Sequence, residues 1–228
     1  MLSEEMLSKK MLSEGENMAR RSPTGNEIRN LQDQFLELLK SLSETIDARD
    51  PYSRGHSRRV ARYALAMGRA MGWSSARQER LEIAALLHDV GKLGVEAFIL
   101  AKPTSLNELE MATVRYHPLL GVRILESVQQ LADIIPFIRH HHERFDGGGY
   151  PDGLKGENIP LEARILTVAD AYEAITSNRP YRKSRSPREA LQEIRKGAGT
   201  QFDPRIVEIF QRVFEDGQLD ESDGGENT

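Results

Sequence analysis

His88 and Asp89 stand side by side in LEIAALLHDVGKLG, from Leu81 to Gly94, where an apolar helix pattern runs into Gly91 and Lys92. A neutral imidazole beside a carboxylate suits divalent metals of intermediate hardness, and a carboxylate can bridge two ions. An adjacent His-Asp pair alone carries little weight, because most such pairs are helix-end or surface features. The weight comes from the rest of the chain, which has 6 histidines. His56 follows RDPYSRG near a helix start, and His117 stands at a helix junction before Pro118. His140, His141 and His142 run into Glu143 and a glycine-rich loop, and Asp170 interrupts the apolar helix face of ILTVADAYEAIT. Taken singly, His56 and His117 read as caps or solvated side chains, and Asp170 as the partner of an arginine. Taken together they are metal-competent groups at the termini of different helices. Five histidines and two aspartates give two metals about four protein ligands each if Asp89 bridges, with positions left for water and phosphate. Two ions roughly 3.5–4 Å apart are the usual device for cleaving phosphoesters.

The elements that must position these groups are helical. Glu27–Asp47 carries Ile28, Leu31, Phe35, Leu38, Leu39, Leu42 and Ile46 at three- and four-residue steps. That stripe suits packing on the core, or a dimerisation or signal-input helix. Asp50-Pro51 signals a helix start, with helix to about Met71 and Val60, Ala64 and Met67 on its inner face. Further helices are expected over Ser75–Asp89 with a serine cap, Asn107–Tyr116, Pro118–Ser127, Gln130–His141 with a kink at Pro136, and Leu161–Ser177. Ser186-Pro187-Arg188-Glu189 is a capping box, and Asp203-Pro204 opens a last helix to about Glu215. Arg144–Pro160 is a Gly- and Pro-rich loop. No strand-like alternation of any length occurs, so the fold class is all-α.

The 228 residues suffice for one large domain with a substantial core. Net charge is −4, so no overall basic excess points to a DNA or RNA polymer. No apolar run approaches the ~20 residues that cross a bilayer, and Met1–Gly15 lacks the apolar block of a secretory signal. The chain has no cysteine, which rules out thiolate ligands and leaves His, Asp and Glu to hold any metal. A cytoplasmic setting is the default expectation. In the first residues Met-Leu-Ser recurs at Met1, Met6 and Met11 without forming one helical stripe, so 1–24 reads as a disordered or loosely helical arm. It suits either a partner-binding arm or an overextended start. The expected organisation continues as a helix over 25–47, a catalytic domain over 48–215 and an acidic disordered tail over 216–228.

The stretches RDPYSRGHSRRVARYA, LLHDVGKLG, RYHPLLGVRIL, RHHHERFDGGGYPDGLKGENIPLEARIL, VADAYEAITSNRPYR and GAGTQFDP together resemble the HD-GYP family. These are the cyclic di-GMP phosphodiesterase branch of the HD phosphohydrolases. The resemblance spans roughly Leu42–Phe214 in family order and includes the specific Gly149-Tyr150-Pro151 signature. It implies an HD-domain helical bundle with a C-terminal helical GYP extension, and a binuclear site loaded with iron or manganese and no organic cofactor. His56, His88, Asp89 and Asp170 would hold one ion, and Asp89, His117, His141 and His142 the other. A bridging hydroxide would attack phosphorus in line. Lys92 would bind the scissile phosphate, one turn after His88 if the helix continues that far. Arg179 and Arg182 would hold the other phosphate or a guanine. His140 matches no ligand position, and Glu143 would orient a ligand histidine. Some family members add a third ion through a glutamate four residues before the first histidine. Here that position is Tyr52, so two ions are expected.

The implied activity is hydrolysis of cyclic di-GMP to pGpG, and onward to GMP in some members. A second reading makes the chain an adaptor, presenting Tyr150 on an exposed, flexible loop to diguanylate cyclase domains of the GGDEF type. Hydrolysis of another cyclic dinucleotide is a variant of the first reading. A third, action on nucleoside monophosphates or alarmones, fits the glycine loop and SNRPYR less well. A homodimer through the 25–47 helix is the other partner considered.

Overall fold

The computed structural model describes residues 24–50, 53–178 and 183–219, apart from the Ile28 side chain. Tyr52, Arg179, Arg182, the arm before Thr24 and the tail from Asp220 lie outside the described residues. The helices in chain order are α1 (Gly25–Asp47), α2 (His56–Ala70), α3 (Ser75–Leu87), α4 (Ala97–Leu100), α5 (Glu108–Arg115), α6 (His117–Leu125), α7 (Ile135–Arg139), α8 (Leu161–Thr176), α9 (Pro187–Lys196) and α10 (Pro204–Glu215). Short 3-10 turns cover Val90–Gly94, Gln129–Ile134 and Gly156–Asn158. The described residues contain no strand, only an isolated bridge between Ala198 and Phe202, so the all-α expectation holds. None of their helices is long and apolar enough to cross a membrane.

The chain divides into two units between Leu38 and Leu39. The described part of the first is the N-terminal portion of α1. The Thr24 hydroxyl accepts from the Glu27 amide, and the Glu27 carboxylate accepts from the Thr24 amide. That reciprocal cap starts the helix at Gly25, three residues before the first apolar position of its stripe.

In the second unit α2 packs against both α3 and α8, with α10 against α2 and α9 against α8. Val60, Ala64 and Met67 are fully buried, as the helical spacing of α2 predicts, and face a core that includes Leu81, Leu87, Leu166, Ile194 and Phe210. Each large apolar side chain removed from water contributes about 1.5–3 kcal/mol. Leu39 and Ile46 on the C-terminal half of α1 are buried as well, so within this unit that part of the stripe is core.

Several helix ends differ from the sequence expectation, each for a local reason. The chain does not enter α2 at Asp50-Pro51. Asp50 instead accepts from Ser53, and the turn delays the helix to His56. Ser74 caps α3 by position, but its hydroxyl makes no capping hydrogen bond. α3 stops at Leu87 and the chain tightens into the 3-10 turn Val90–Gly94. The segment expected as one helix over 130–141 is a 3-10 turn followed by α7, with Pro136 in the first turn where its missing N–H costs nothing. The expected capping box does form at α9, between Ser186 and Glu189, and α10 starts at Asp203-Pro204 as expected, with the Asp203 carboxylate accepting from the Arg205 amide.

Two glycines decide how the loops approach the helices. A Cβ on Gly91 would lie 1.8 Å from the carbonyl oxygen of His117 and 2.6 Å from the Gly121 amide nitrogen. Only a bare Cα lets the Val90–Gly94 turn lie directly on α6. On Gly149 a Cβ would lie 2.3 Å from the Arg144 nitrogen and 2.5 Å from the Glu143 Cα. Its absence lets the glycine loop fold back on the chain it leaves, where the Tyr150 amide donates to the His142 carbonyl.

Candidate metal centre

Seven groups from five parts of the chain converge on one place. His56 is the first residue of α2, and His88 and Asp89 follow α3 directly. His117 opens α6, His141 and His142 follow α7, and Asp170 sits in α8. The ligand atoms of His56, His88 and Asp170 lie within 4.8 Å of one another, as do those of His117, His141 and His142. Asp89 with His88 and His141 forms a third such set. The two Asp89 oxygens face different ways. Oδ2 lies 3.6 Å from His56 Nε2 and 3.4 Å from His88 Nε2, while Oδ1 lies 3.2 Å from His117 Nε2. His56 Nε2 is also 3.4 Å from Asp170 Oδ1. This is the disposition a bridging carboxylate needs.

The imidazoles are oriented from behind. His88, His117 and His141 each point Nδ1 at a carbonyl three residues earlier, on Ala85, Val114 and Ile138, at 2.6, 2.8 and 2.6 Å. His56 Nδ1 faces Glu173 Oε2 at 2.6 Å. With Nδ1–H donating outward, the Nε2 lone pairs turn inward, as a histidine metal site requires. His56 Nε2 and His88 Nε2 are 3.2 Å apart, and His117 Nε2 and His141 Nε2 3.3 Å. Two imidazole nitrogens held that close need a proton or a cation between them. The donor set therefore fits divalent metal ions, as hard oxygens mixed with imidazoles do.

Charge balance supports the same fit. Burial would push the Asp89 carboxyl up, but Lys92 and His88 hold it well below its ordinary range. Burial would lower His88, yet the Asp89 charge raises it to about 9. Burial, followed by the neighbouring histidines, holds His141 well below its ordinary value and brings His142 down to about 3. Without metal, His141 and His142 are thus neutral near pH 7 while His88 carries a proton that a cation must displace.

Other expected site residues fall differently. Lys92 is not one α-helical turn beyond His88 but lies in the 3-10 turn, where its Nζ donates to Asp89 Oδ2 at 2.6 Å. Burial would lower its pKa, and the Asp89 carboxylate more than offsets that, so Lys92 stays charged. Glu143 does not touch a ligand histidine. It is buried, its Oε1 accepts from the Asp152 amide at 2.7 Å, and its Oε2 has no hydrogen-bond partner, so it braces the glycine loop. His140 lies outside the three ligand groups, with Nδ1 2.8 Å from the Pro136 carbonyl oxygen and Nε2 2.9 Å from Asp152 Oδ2, both of them acceptors. Tyr150 is not an exposed aromatic. Its ring lies 4.9 Å from that of His142 because Gly149 lets the loop turn inward.

Glu173 is the residue that sequence reasoning passed over. It is 1% exposed, it holds His56 Nδ1, and its Oε1 accepts from Arg59 and Ser177 at 2.6 Å each. Burial would raise its pKa, but His56 and these donors hold it far below the usual carboxylate range. Its spacing of one turn after Asp170 on α8 was the available signal. Glu173→Gln keeps the shape but removes the charge behind His56. Metal affinity measured by competition with a chelator should fall about 10–100-fold, and an unchanged affinity would leave Glu173 a purely structural anchor for Arg59. Thr167 contributes similarly from α8, donating to the His141 carbonyl at 2.7 Å. A cavity of about 420 Å³ opens on His142 and Asp170, with Thr167, Arg185 and Phe202 also on its wall.

The HD domain family model matches residues 40–206. The 3′3′-cGAMP-specific phosphodiesterase 3 of Vibrio cholerae is 39% identical over 185 residues, 81% of this chain and 40% of that protein. The cyclic di-GMP phosphodiesterase response regulator RpfG of Xanthomonas campestris is 37% identical over 189 residues, covering 81% of this chain and 50% of its own. The chain thus spans about half the length, or less, of these curated relatives. Among solved structures, a cyclic GMP-AMP specific phosphodiesterase of V. cholerae superposes with a TM-score of 0.62 at 22% identity, over 80% of this chain and 49% of that one. An HD-GYP-like protein from Bdellovibrio bacteriovorus does so with a TM-score of 0.58 at 18% identity, over 70% and 51%. Those two likenesses establish the fold. With the family model matched over most of the chain, this chain belongs to the HD domain family.

Proposed function

We propose that this chain is the catalytic unit of a metal-dependent phosphodiesterase that hydrolyses cyclic di-GMP to pGpG. The observation that carries the reading is Asp89, whose two oxygens face separate groups of inward-turned imidazoles. Relatives named as cyclic di-GMP phosphodiesterases in X. campestris and Thermotoga maritima supply the substrate class. We assign His56, His88, Asp89 and Asp170 to one ion and Asp89, His117, His141 and His142 to the other, iron or manganese in both cases. Such a pair of ions, when bound, activates water and offsets charge on the phosphate oxygens. The chain's own residues do the rest. Lys92, half-buried and charged beside Asp89, offers an ammonium to the scissile phosphate. Water oxygen bonds to phosphorus, the P–O3′ bond breaks, and the departing 3′ oxygen takes a proton. Arg179 and Arg182 remain assigned by resemblance to the second phosphate or a guanine. The inward stacking of Tyr150 on His142 favours a part in shaping the site over display to a GGDEF-type partner.

Metal quantification coupled to product analysis tests this directly. Protein purified anaerobically and loaded with iron or manganese should hold about two ions per chain and convert cyclic di-GMP to pGpG. Three tightly bound ions would overturn the two-ion assignment. Exclusive cleavage of 3′3′-cyclic GMP-AMP, or of no cyclic dinucleotide at all, would overturn the substrate.

A further inference from the structure

A second cavity, of about 700 Å³, lies beside the metal centre and is not used by the chemistry above. Its wall includes Glu108, Met111, Arg115, Tyr116, Leu119 and Pro151. Two of these residues tie it to the centre through their chain neighbours. Tyr116 precedes His117, and Pro151 follows Tyr150, which stacks on His142. Arg115 reaches toward the same tyrosine, with its guanidinium 5.7 Å from the Tyr150 ring centroid. A molecule too large for the ion-binding groups could therefore extend into this space without leaving the protein surface.

The polar groups of the cavity are few and of opposite sign. Glu108 and Arg115 open and close α5, and Met111 lies between them on the same face of the helix. Seven residues of α-helix separate their backbones by about 10.5 Å. That leaves room for one purine with a hydrogen bond at either end. Among the described residues neither side chain is committed to an ion pair. By contrast Glu110, in the same first turn as Glu108, is taken up by Lys102 and by the Asn107 cap.

We propose that this cavity is a guanine subsite, with Glu108 and Arg115 as its specificity-determining residues. The inference rests on the cyclic dinucleotide reading above and adds to it which base is selected and by what. Guanine presents two donors, N1–H and N2–H₂, on one edge and two acceptors, O6 and N7, on another. A carboxylate accepts both donors, and a guanidinium donates to both acceptors. Adenine fails at both ends. It offers the carboxylate a single amino group, and it places that same donor where the guanidinium needs an oxygen. Met111 and Leu119 supply the apolar floor on which a base lies, and Tyr116 and Pro151 supply flat walls. Apolar walls with a few convergent polar groups are what a small-molecule site requires.

The test separates binding from turnover. Equilibrium dialysis with labelled cyclic di-GMP and cyclic di-AMP is run on chelator-treated wild type, Glu108→Gln and Arg115→Gln, so that the label is not hydrolysed during equilibration. In parallel, wild-type hydrolysis of both nucleotides is followed by chromatography. The wild type should bind cyclic di-GMP more tightly, and each variant should weaken that binding about tenfold or more. Binding of cyclic di-AMP should change by less than about threefold, so the discrimination ratio collapses. A ratio that survives both substitutions overturns the subsite even if hydrolysis proceeds. Wild type that binds neither nucleotide overturns it too. Guanine-selective binding without hydrolysis upholds the subsite and sinks the phosphodiesterase reading instead.

Discussion

Asp89→Asn should lower the turnover of cyclic di-GMP by about three orders of magnitude or more, equivalent to roughly 4 kcal/mol of transition-state stabilisation. Asparagine has nearly the same shape, so the packing around a residue that is 3% exposed is preserved. What is lost is the charge shared by four cationic or metal-directed neighbours. Lys92 donates to Oδ2 at 2.6 Å, His56 and His88 face the same oxygen, and His117 faces the other at 3.2 Å. A neutral amide offers one acceptor oxygen and turns an N–H₂ donor toward groups that need an acceptor. The half-buried ammonium of Lys92 is then left without its nearest counter-charge. The metal content of the variant should fall together with its activity, while its helix content by circular dichroism stays at the wild-type level. His140→Ala is the internal control. It removes the one histidine of the 140–142 run that is tied to Pro136 and Asp152 rather than to the centre, and its turnover should remain within about twofold of wild type. Wild-type turnover in Asp89→Asn, or a loss in His140→Ala equal to that in Asp89→Asn, would sink the assignment of the bridge.

That control bears on how far the centre was legible in sequence. Histidines and aspartates at helix termini are visible because burying them requires compensation, and their number was enough to suggest a shared task. The spacing within each element was readable too, as with Val60, Ala64 and Met67 on the inner face of α2. What periodicity does not report is the tightening of the chain after Leu87. There a 3-10 turn moves Lys92 onto Asp89, in place of the expected α-helical position. Partners far apart in the chain were equally hidden. Glu173 meets His56 across 117 residues, and Glu143, next in sequence to the ligand His142, turns away to hold the Asp152 amide. Tyr150 was misjudged for a related reason. A glycine run reads as an exposed loop, whereas the bare Cα of Gly149 folds it inward onto His142.

Gly91→Ala should be the most destabilising single methyl that can be added near the centre. The new Cβ would meet the His117 carbonyl at 1.8 Å, and the Gly121 nitrogen at 2.6 Å. Both obstacles are backbone atoms of α6, so no rotamer change relieves them, and the Val90–Gly94 turn and α6 must move apart. Overpacking of this kind costs about 3 kcal/mol or more, which for a chain of this size lowers Tm by roughly 6–12 °C. The separation has a chemical consequence as well. Asp89 immediately precedes the turn that holds Gly91 and Lys92, and His117 opens α6, so the movement lengthens the 3.2 Å approach of His117 Nε2 to Asp89 Oδ1. A misplacement of about 1 Å can cost 10²-fold in rate. Thermal melts and steady-state kinetics on the same preparation read both effects, with Gly25→Ala as the reference, since its Cβ meets nothing within 4 Å. If Gly91→Ala melted with the wild type, the turn could shift off α6 freely. The close contact of turn and helix would then not be what holds Asp89 against His117.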